Sequence, residues 1–275
     1  MRAFVLSGGA NYGAQQVGAL EVLLEHGLQP EMVMGVSAGG LNAAWLAAHP
    51  TLDGVRELAR IWCDEAARYF LPVGPLNTLI RLIGGKDSLL PNDSLQQFIR
   101  RWPFADGDFA TFTQPRLYTV AASYHTGELR IFGDQPTDRL IDGLMATAAM
   151  PPIYPPWEVS GVPYLDGGII SHLPLLAAVE RGADEIFALH NGQGLTPIAD
   201  DAPRTMLSIG ARSISLLVDR QAKLEIEAVQ RNPAIRCHLI HLAADEDPGL
   251  WNFARSAELI AAGRRAAEAY LKSSM

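Results

Sequence analysis

The sequence predicts an α/β fold of three layers, with helices on both faces of a central, largely parallel sheet. Strand-like and helix-like segments alternate along most of the 275 residues, a pattern typical of a parallel sheet covered by helices. Two extended runs joined by His125-Thr126-Gly127 read as a hairpin, which makes the sheet mixed. No low-complexity linker or internal repeat interrupts the chain. We therefore expect a single domain over residues 1–275.

The elements follow from apolar spacing and from residues that end helices. The first helix, for example, carries Val17, Leu20, Leu23 and Leu24 at helical spacing and ends on Gly27. Apolar runs predict strands at 3–6, 31–34, 116–122, 128–132, 185–189 and 235–241, and one that ends at Asp166. Helices are predicted at 14–26, 40–48, 138–149, 175–181, 206–230 and 251–271, with a long helical region between 52 and 101.

Ser37 lies in Gly35-Val36-Ser37-Ala38-Gly39, where a predicted strand meets a predicted helix. A serine on so sharp a turn needs small neighbours, because the strand and the helix pack closely there. The helix N-terminus also favours negative charge on the hydroxyl. The pentapeptide alone occurs in ordinary turns as well, so the strand before it and the helix after it decide the interpretation. We expect Ser37 to be a nucleophile.

A glycine-rich turn, Gly8-Gly9-Ala10-Asn11-Tyr12-Gly13, joins the first strand to the first helix. Such a turn directs several backbone N–H groups to one point, which suits an anion. A nucleotide phosphate is disfavoured, because Ala10 holds the middle place of G-x-G-x-x-G and no Lys-Ser/Thr pair follows. We expect the anion bound at this turn to be the oxyanion that forms when Ser37 attacks an ester. A turn that only lets helix and strand pack is the alternative.

Asp166 is the candidate partner of the serine. It ends an apolar run and is followed by Gly167 and Gly168, so the backbone can turn there and leave the carboxylate facing a cleft. By itself Asp-Gly-Gly is more often a plain turn.

Together these segments resemble the patatin-like phospholipase family over nearly the whole chain. The resemblance rests on the order and spacing of several short motifs: Leu6-Ser7-Gly8-Gly9 with Gly13, 16–20, 35–39, 148–156, 164–168, Leu173-Pro174 and 182–186.

The resemblance implies a lipid acyl hydrolase that works through a Ser–Asp dyad and an acyl-enzyme. Ser37 would be the nucleophile and Asp166 its base. The oxyanion hole would be formed by Gly8, Gly9 and Ala10. Supporting motif glycines would be Gly13, Gly35, Gly39, Gly167 and Gly168. The substrate would be a lipid or another acyl ester. Dyad chemistry calls for no cofactor and no metal, and the sequence shows no metal-ligand spacing near the motifs.

Three positions depart from the family pattern. Ala10 replaces a glycine, which makes any positive φ there costlier. Tyr12 replaces a basic residue, and His172 replaces an asparagine. These changes leave the reaction type standing and the headgroup preference open.

His172 keeps other functions open. It could orient the loop, bind a headgroup or serve as base in a Ser-Asp-His esterase of small soluble esters. Acyl transfer through the same serine is a further alternative, and so is a non-catalytic lipid-binding protein on this scaffold.

Composition narrows the partners. A net charge of −8 argues against a nucleic-acid groove and against strong attraction to anionic bilayers. Cys63 and Cys237 lack metal-ligand spacing and are expected to be free thiols. The N-terminus lacks a signal-peptide pattern and no stretch reaches the length of a membrane span, so we expect a cytoplasmic location by default. The apolar segment 69–83 is either core or a cap over the cleft, with peripheral contact to a membrane or micelle. Oligomeric state is left open.

Overall fold

The computed structural model describes residues 1–70, 84–191, 205–243 and 249–274. Eight strands form one mixed sheet: β1 (Arg2–Leu6), β2 (Met32–Val36), β3 (Arg116–Ser123), β4 (Leu129–Phe132), β5 (Trp157–Val159), β6 (Val162–Asp166), β7 (Glu185–Asn191) and β8 (Arg236–Leu242). The helices are α1 (Gly13–Glu25), α2 (Ala38–Ala48), α3 (Leu52–Asp64), α4 (Ala66–Phe70), α5 (Asp93–Arg100), α6 (Leu140–Thr147), α7 (Leu175–Glu180), α8 (Met206–Gln230) and α9 (Ser256–Ser274).

The parallel part of the sheet runs in the order β8-β7-β1-β2-β3. Strands β4, β6 and β5 are antiparallel additions beside β3. Because β1 has β2 on one edge and β7 on the other, the connections leave the sheet in opposite directions on either side of it. In open α/β sheets a ligand crevice forms at such a point, outside the carboxyl ends of the strands.

The pairing of β3 determines where β6 ends. Ala121 and Ala122 pair with both β4 and β6, so these two strands occupy opposite edges of β3. Val120 pairs with both β2 and β4, so β2 lies on the edge that β6 also uses. Strand β6 therefore continues along β3 where β2 stops. Asp166 lies opposite Ala121, one position beyond the pair of Val36 with Val120.

Alternating side chains supply two cores. In β1, Phe4 and Leu6 face the layer that contains α1, α2, α3 and α9. Ala3 and Val5 face the opposite layer, where α7 and the second half of α8 pack. A buried strand with apolar residues on both faces is what a sheet between two helical layers requires. The three-layer α/β fold with a largely parallel, mixed sheet is thus confirmed.

Most predicted elements are present, with three differences. Strand β5 was not predicted, because the proline-rich stretch before it hides the short pairing with β6. The region 52–101 is not one helical region, since residues 84–92 around Gly84-Gly85 and Pro91 are irregular. The last helix begins at Ser256 and not near 251, because the preceding residues turn toward the site. The segment proposed as a cap, 69–83, lies outside the described residues from position 71 onward.

Candidate active site

The serine turn, residues 35–39, carries Ser37 between β2 and α2. Ser37 has φ 56° and ψ −129°, a strained conformation for a residue with a side chain. The two glycines make the turn possible. A Cβ on Gly35 would lie 2.2 Å from the carbonyl oxygen of Gly39, and a Cβ on Gly39 would lie 2.4 Å from that of Ser7. The backbone N–H of Ser37 donates to Oγ1 of Thr147 at 2.9 Å.

Asp166 reaches Ser37 directly. The Ser37 side chain acts on the carboxylate, and the Gly168 N–H donates to Oδ1 of Asp166 at 2.8 Å. Only 3 % of Asp166 is exposed. Burial raises the pKa of this carboxyl to about 6, and the polar interactions with Ser37 and Gly168 act in the opposite direction. Gly167 is also required, because a Cβ there would lie 2.5 Å from the carbonyl oxygen of Val120.

The glycine loop, residues 8–13, lies beside the serine. A Cβ built on Gly8 would be 3.4 Å from the Cβ of Ser37. The Gly8 N–H donates to the carbonyl oxygen of His172 at 3.1 Å, so it is already committed. The N–H groups of Gly9 and Ala10 have no partner within the described parts of the chain. Ala10 adopts φ 47°, the positive value that alanine tolerates poorly. The loop thus offers two N–H donors without a partner among the described residues, and Ala10 lines the same cavity as Ser37.

Asn11 joins this loop to the segment before α9. Its side-chain amide donates to the carbonyl oxygens of Gly249 at 2.8 Å and Asn252 at 3.0 Å, and its backbone N–H donates to that of Leu250. Gly13 allows α1 to pass close by, since a Cβ there would lie 2.8 Å from the ring of Trp62.

An apolar cavity opens beside the serine. It is narrow, about 30 Å³. Its walls come from α2, α3, α4 and the segments around 150 and 252: Ala10, Ser37, Ala38, Leu41, Trp62, Phe70, Leu95, Ala148, Met150, Tyr154, Trp251 and Phe253. The rings of Trp62, Phe70 and Phe253 stack on one another with centroids 5.3–6.2 Å apart. A second apolar cavity shares Leu41, Trp62 and Phe70 and continues between α3 and α5.

Comparison with known proteins places this arrangement in a family. The family model described as patatin-like phospholipase matches residues 4–179, which contain both Ser37 and Asp166. The chain belongs to the patatin-like phospholipase family.

Two curated relatives show how much of the chain is shared. The neuropathy target esterase sws of Drosophila melanogaster is 29 % identical over 204 residues, which cover 72 % of this chain and 14 % of that protein. The patatin-like phospholipase domain-containing protein 7 of Rattus norvegicus is 25 % identical over 191 residues, which cover 69 % of this chain and 13 % of that protein. The chain thus matches about one-seventh of the length of these relatives.

Two solved structures are similar in outline. VipD from Legionella pneumophila superimposes with a TM-score of 0.49 at 16 % identity, covering 99 % of this chain and 67 % of that one. The type III effector ExoU superimposes with a TM-score of 0.43 at 15 % identity, covering 99 % and 52 %.

His172, the departure from the family pattern after Asp166, is buried and neutral in this family member. Burial lowers the pKa of its ring to about 3, and the neighbouring His190 adds to the effect. The ring lies against the glycine loop and against the residues that follow Asp166. A Cβ on Gly8 would be 3.1 Å from its Cε1, and one on Gly168 would be 3.5 Å from its Nδ1. The interaction between Ser37 and Asp166 does not involve it.

The sequence did not point to several residues that shape the site. Thr147 holds the serine backbone from α6, Asn191 bonds to the glycine loop from β7, and Trp251 and Phe253 form cavity walls. None belongs to a recognisable motif. Among the described residues, no group of three or more histidine, cysteine or acidic side chains could hold a metal ion. The described helices include none with the length and apolar character needed to cross a bilayer.

Proposed function

We propose that this protein hydrolyses acyl esters of lipids through a Ser37–Asp166 dyad and an acyl-enzyme. One observation carries the proposal: the Ser37 side chain acts directly on the buried carboxylate of Asp166, with no histidine between them. Family membership and the apolar cavity beside the serine support a lipid acyl group as substrate.

The first half of the reaction acylates the serine. Asp166 accepts the hydroxyl proton as Ser37 Oγ attacks the ester carbonyl carbon. An aspartate with a pKa of about 6 is a stronger base than one in water and is still ionised at neutral pH. The carbonyl oxygen becomes an oxyanion that the free N–H groups of Gly9 and Ala10 can bind. The tetrahedral intermediate collapses, the C–O bond to the alcohol breaks, and Asp166 returns the proton to the leaving alkoxide.

The second half releases the acyl group. A water molecule takes the place of the alcohol, Asp166 removes its proton, and the hydroxide attacks the acyl carbon of the ester on Ser37. The same donors hold the second oxyanion, and the proton passes back to Ser37 Oγ as the fatty acid leaves. The stacked rings of Trp62, Phe70 and Phe253 line the space next to the reacting carbon. Because this cavity is narrow, short acyl chains fit with the least displacement of these rings.

Hydrolysis of a short-chain nitrophenyl ester and labelling by a fluorophosphonate test the nucleophile. We expect Ser37→Ala to lose at least about 10³-fold in kcat and all labelling, because the chemistry has no other nucleophile. Alanine fits the turn, so circular dichroism should match the wild type. A non-catalytic binding protein would neither hydrolyse nor label, and near-wild-type turnover by Ser37→Ala would refute the proposal. Added alcohol separates hydrolysis from acyl transfer by the products formed.

Two further variants distinguish the dyad from a triad. Asp166→Asn keeps the shape but removes the base, and should lose at least about 10³-fold in kcat. His172→Asn should keep its rate within about tenfold, because the buried, neutral ring only packs against the two loops. If His172→Asn is the inactive variant and Asp166→Asn is not, the protein is a triad esterase.

The raised pKa of Asp166 predicts two opposite pH effects. The value of kcat/KM should fall below pH 6 as the base becomes protonated. The stability of the fold should change with pH in the opposite direction to the activity. The Asp166 pKa of about 6 in the folded state lies above its ordinary value of 3.8, which applies in the unfolded chain. The stabilising contribution is complete below about pH 4 and is lost as pH rises through 6. Thermal melts should therefore show Asp166→Asn more stable than the wild type at pH 8, by on the order of 3 kcal/mol, with the difference vanishing near pH 4. A wild type that is the more stable at pH 8 would contradict the buried, ionised carboxylate.

A further inference from the structure

We infer that Asn191 is a positioning residue: its side-chain amide holds the Gly8–Gly9 peptide so that the Gly9 N–H faces the oxyanion. The inference rests on the proposed function and concerns how the oxyanion hole of that same site is held.

Asn191 is fixed at two points. It ends β7, and only 1 % of it is exposed. Its Nδ2 donates to the carbonyl oxygen of Gly8 at 3.0 Å, and its backbone N–H donates to Oγ of Ser7 at 2.8 Å. The Ser7 N–H in turn donates to the carbonyl oxygen of Leu189, which continues the β1–β7 ladder past the end of β1. Asn191 and the start of the glycine loop are thus one rigid unit.

The sheet order determines what this contact does to the peptide. Strand β1 lies between β7, which carries Asn191, and β2, which leads into Ser37. In a planar trans peptide the C=O and N–H point in opposite directions. The Gly8–Gly9 bond is trans, since the cis bonds are elsewhere. When the Gly8 oxygen points to the β7 side, the Gly9 N–H must point to the β2 side. There it has no partner within the described residues, and the residue before it, Gly8, approaches Ser37: a Cβ on Gly8 would be 3.4 Å from the Cβ of Ser37.

Nothing else in the peptide prevents the opposite orientation. Both residues are glycines, so no Cβ opposes rotation of the plane between them. Gly9 has φ 146°, a value that residues with side chains rarely adopt. A flipped peptide would replace the N–H donor with a carbonyl oxygen, which repels an oxyanion. A single buried donor on the β7 side therefore selects between a formed hole and a blocked one.

A polar side chain at position 191 costs stability, so close packing alone does not explain why an asparagine stands there. Its Oδ1 is buried with no hydrogen-bond partner in the described parts of the chain. An unpaired buried oxygen destabilises the fold. The amide is thus used for its donor, which bonds the Gly8 carbonyl.

The test compares Asn191→Leu and Asn191→Asp with the wild type. Leucine removes the donor, and aspartate keeps the shape but turns a carboxylate toward the Gly8 carbonyl. We expect kcat on a soluble ester to fall by about 10²–10³-fold in both, as for loss of one oxyanion donor, with KM within about threefold. A trifluoromethyl ketone forms a tetrahedral adduct with the serine, and its oxyanion occupies the same place. Its affinity should fall by the same factor as kcat/KM.

Asp138→Asn is the matched control for stability. Asp138 is buried at the other end of α6, pairs with Arg130 and accepts the N–H groups of Gly133 and Gln135. Its loss should lower the melting temperature while kcat and ketone affinity stay within about twofold, because it is remote from the site.

Several results would overturn the inference. It is wrong if either Asn191 variant keeps kcat within about threefold of the wild type, or if kcat falls without the matching loss of ketone affinity. A crystal structure of Asn191→Leu gives a reading that does not depend on activity: we expect the Gly8–Gly9 peptide flipped or in two orientations. An unchanged peptide refutes the inference.

If leucine prevents folding, the aspartate variant supplies the same measurements; if neither folds, Asn191 is structural and the inference fails. A wild type without serine-dependent hydrolysis would refute the proposed function, and the peptide orientation would still decide the role of Asn191.

Discussion

The serine turn and the glycine loop lie side by side at the carboxyl ends of β2 and β1, yet they are held by different means. The turn around Ser37 is determined by close packing of backbone on backbone. Gly35 and Gly39 leave room for the carbonyl groups of Gly39 and Ser7 that a Cβ would strike. The small residues that this packing requires stand within five consecutive positions, although the oxygen that Gly39 must clear belongs to Ser7, just after β1.

The glycine loop is held from a distance. Its donors and acceptors pair with His172, Asn191 and Leu250, more than 150 residues further along the chain. Glycine allows the loop to adopt its conformation but does not stabilise that conformation over others. The comparison teaches that the small residues required by a strained serine turn lie close together in the chain, whereas the backbone N–H groups of the glycine loop are placed by contacts that form in the assembled sheet.

Gly39→Ala tests this close packing of backbone on backbone and should have the largest effect on folding. Its Cβ would lie 2.4 Å from the Ser7 oxygen and 2.5 Å from the Leu6 oxygen, and both are backbone atoms that cannot move aside. We expect a loss of at least about 3 kcal/mol in the free energy of unfolding, measured by denaturant titration.

Gly210→Ala is the matched control for that substitution. Gly210 lies in α8, and the position that an alanine methyl group would occupy there has no heavy atom within 4 Å. Alanine should therefore stabilise the protein by up to about 1 kcal/mol. Equal stability of the Gly39 and Gly210 variants would show that packing does not determine the turn.

Thr147→Val measures how far the serine turn depends on a remote side chain. The hydroxyl accepts the Ser37 N–H and donates to the Val120 carbonyl at 2.6 Å. Valine leaves both groups unpaired, so we expect a loss of about 1–3 kcal/mol in stability. Because the glycines still define the turn, kcat should fall by less than about tenfold.

The same substitution at Thr119 provides its control, since the Thr119 hydroxyl is buried with no partner among the described residues. Thr119→Val should therefore be neutral or stabilising. A loss of kcat in Thr147→Val as large as the loss expected for Asn191→Leu would erase the difference between the two regions.

Ala10→Gly should have the smallest effect. At φ 47° alanine carries strain of about 1–2 kcal/mol that glycine would relieve. The greater freedom of glycine in the unfolded chain offsets about 0.4–1 kcal/mol of that gain. We expect the midpoint of thermal unfolding to change little and kcat to stay within about threefold, because the N–H donor is retained. A fall of kcat beyond about tenfold would mean that the methyl group, which lines the cavity, helps to position the acyl chain.

Much of the fold could be predicted because its signals are local. Apolar runs and helical spacing predicted all the parallel strands, and the hairpin predicted a mixed sheet. Strand β5 was not predicted, because its three residues follow a proline-rich stretch and are too few to show the alternation of a strand. The prediction of a continuous helical region was wrong over the irregular segment 84–92, because the helical patterns on both sides of that segment obscure the break between them.

The sequence by itself determined the turn of Ser37 and singled out Asp166 and the glycine loop, since each needs small residues at fixed short spacings. Only the tertiary structure decided that β6 follows β2 along one edge of β3, which brings Asp166 to Ser37. It also committed the Gly8 N–H, one of the three expected oxyanion donors, to the carbonyl oxygen of His172, and left those of Gly9 and Ala10 without a partner among the residues that the structure describes. Asn191 entered the site in the same way, through the pairing of β7 with β1. Contacts between residues so far apart in the chain leave no periodic trace in the sequence, because strand order and register create them only when the sheet is assembled.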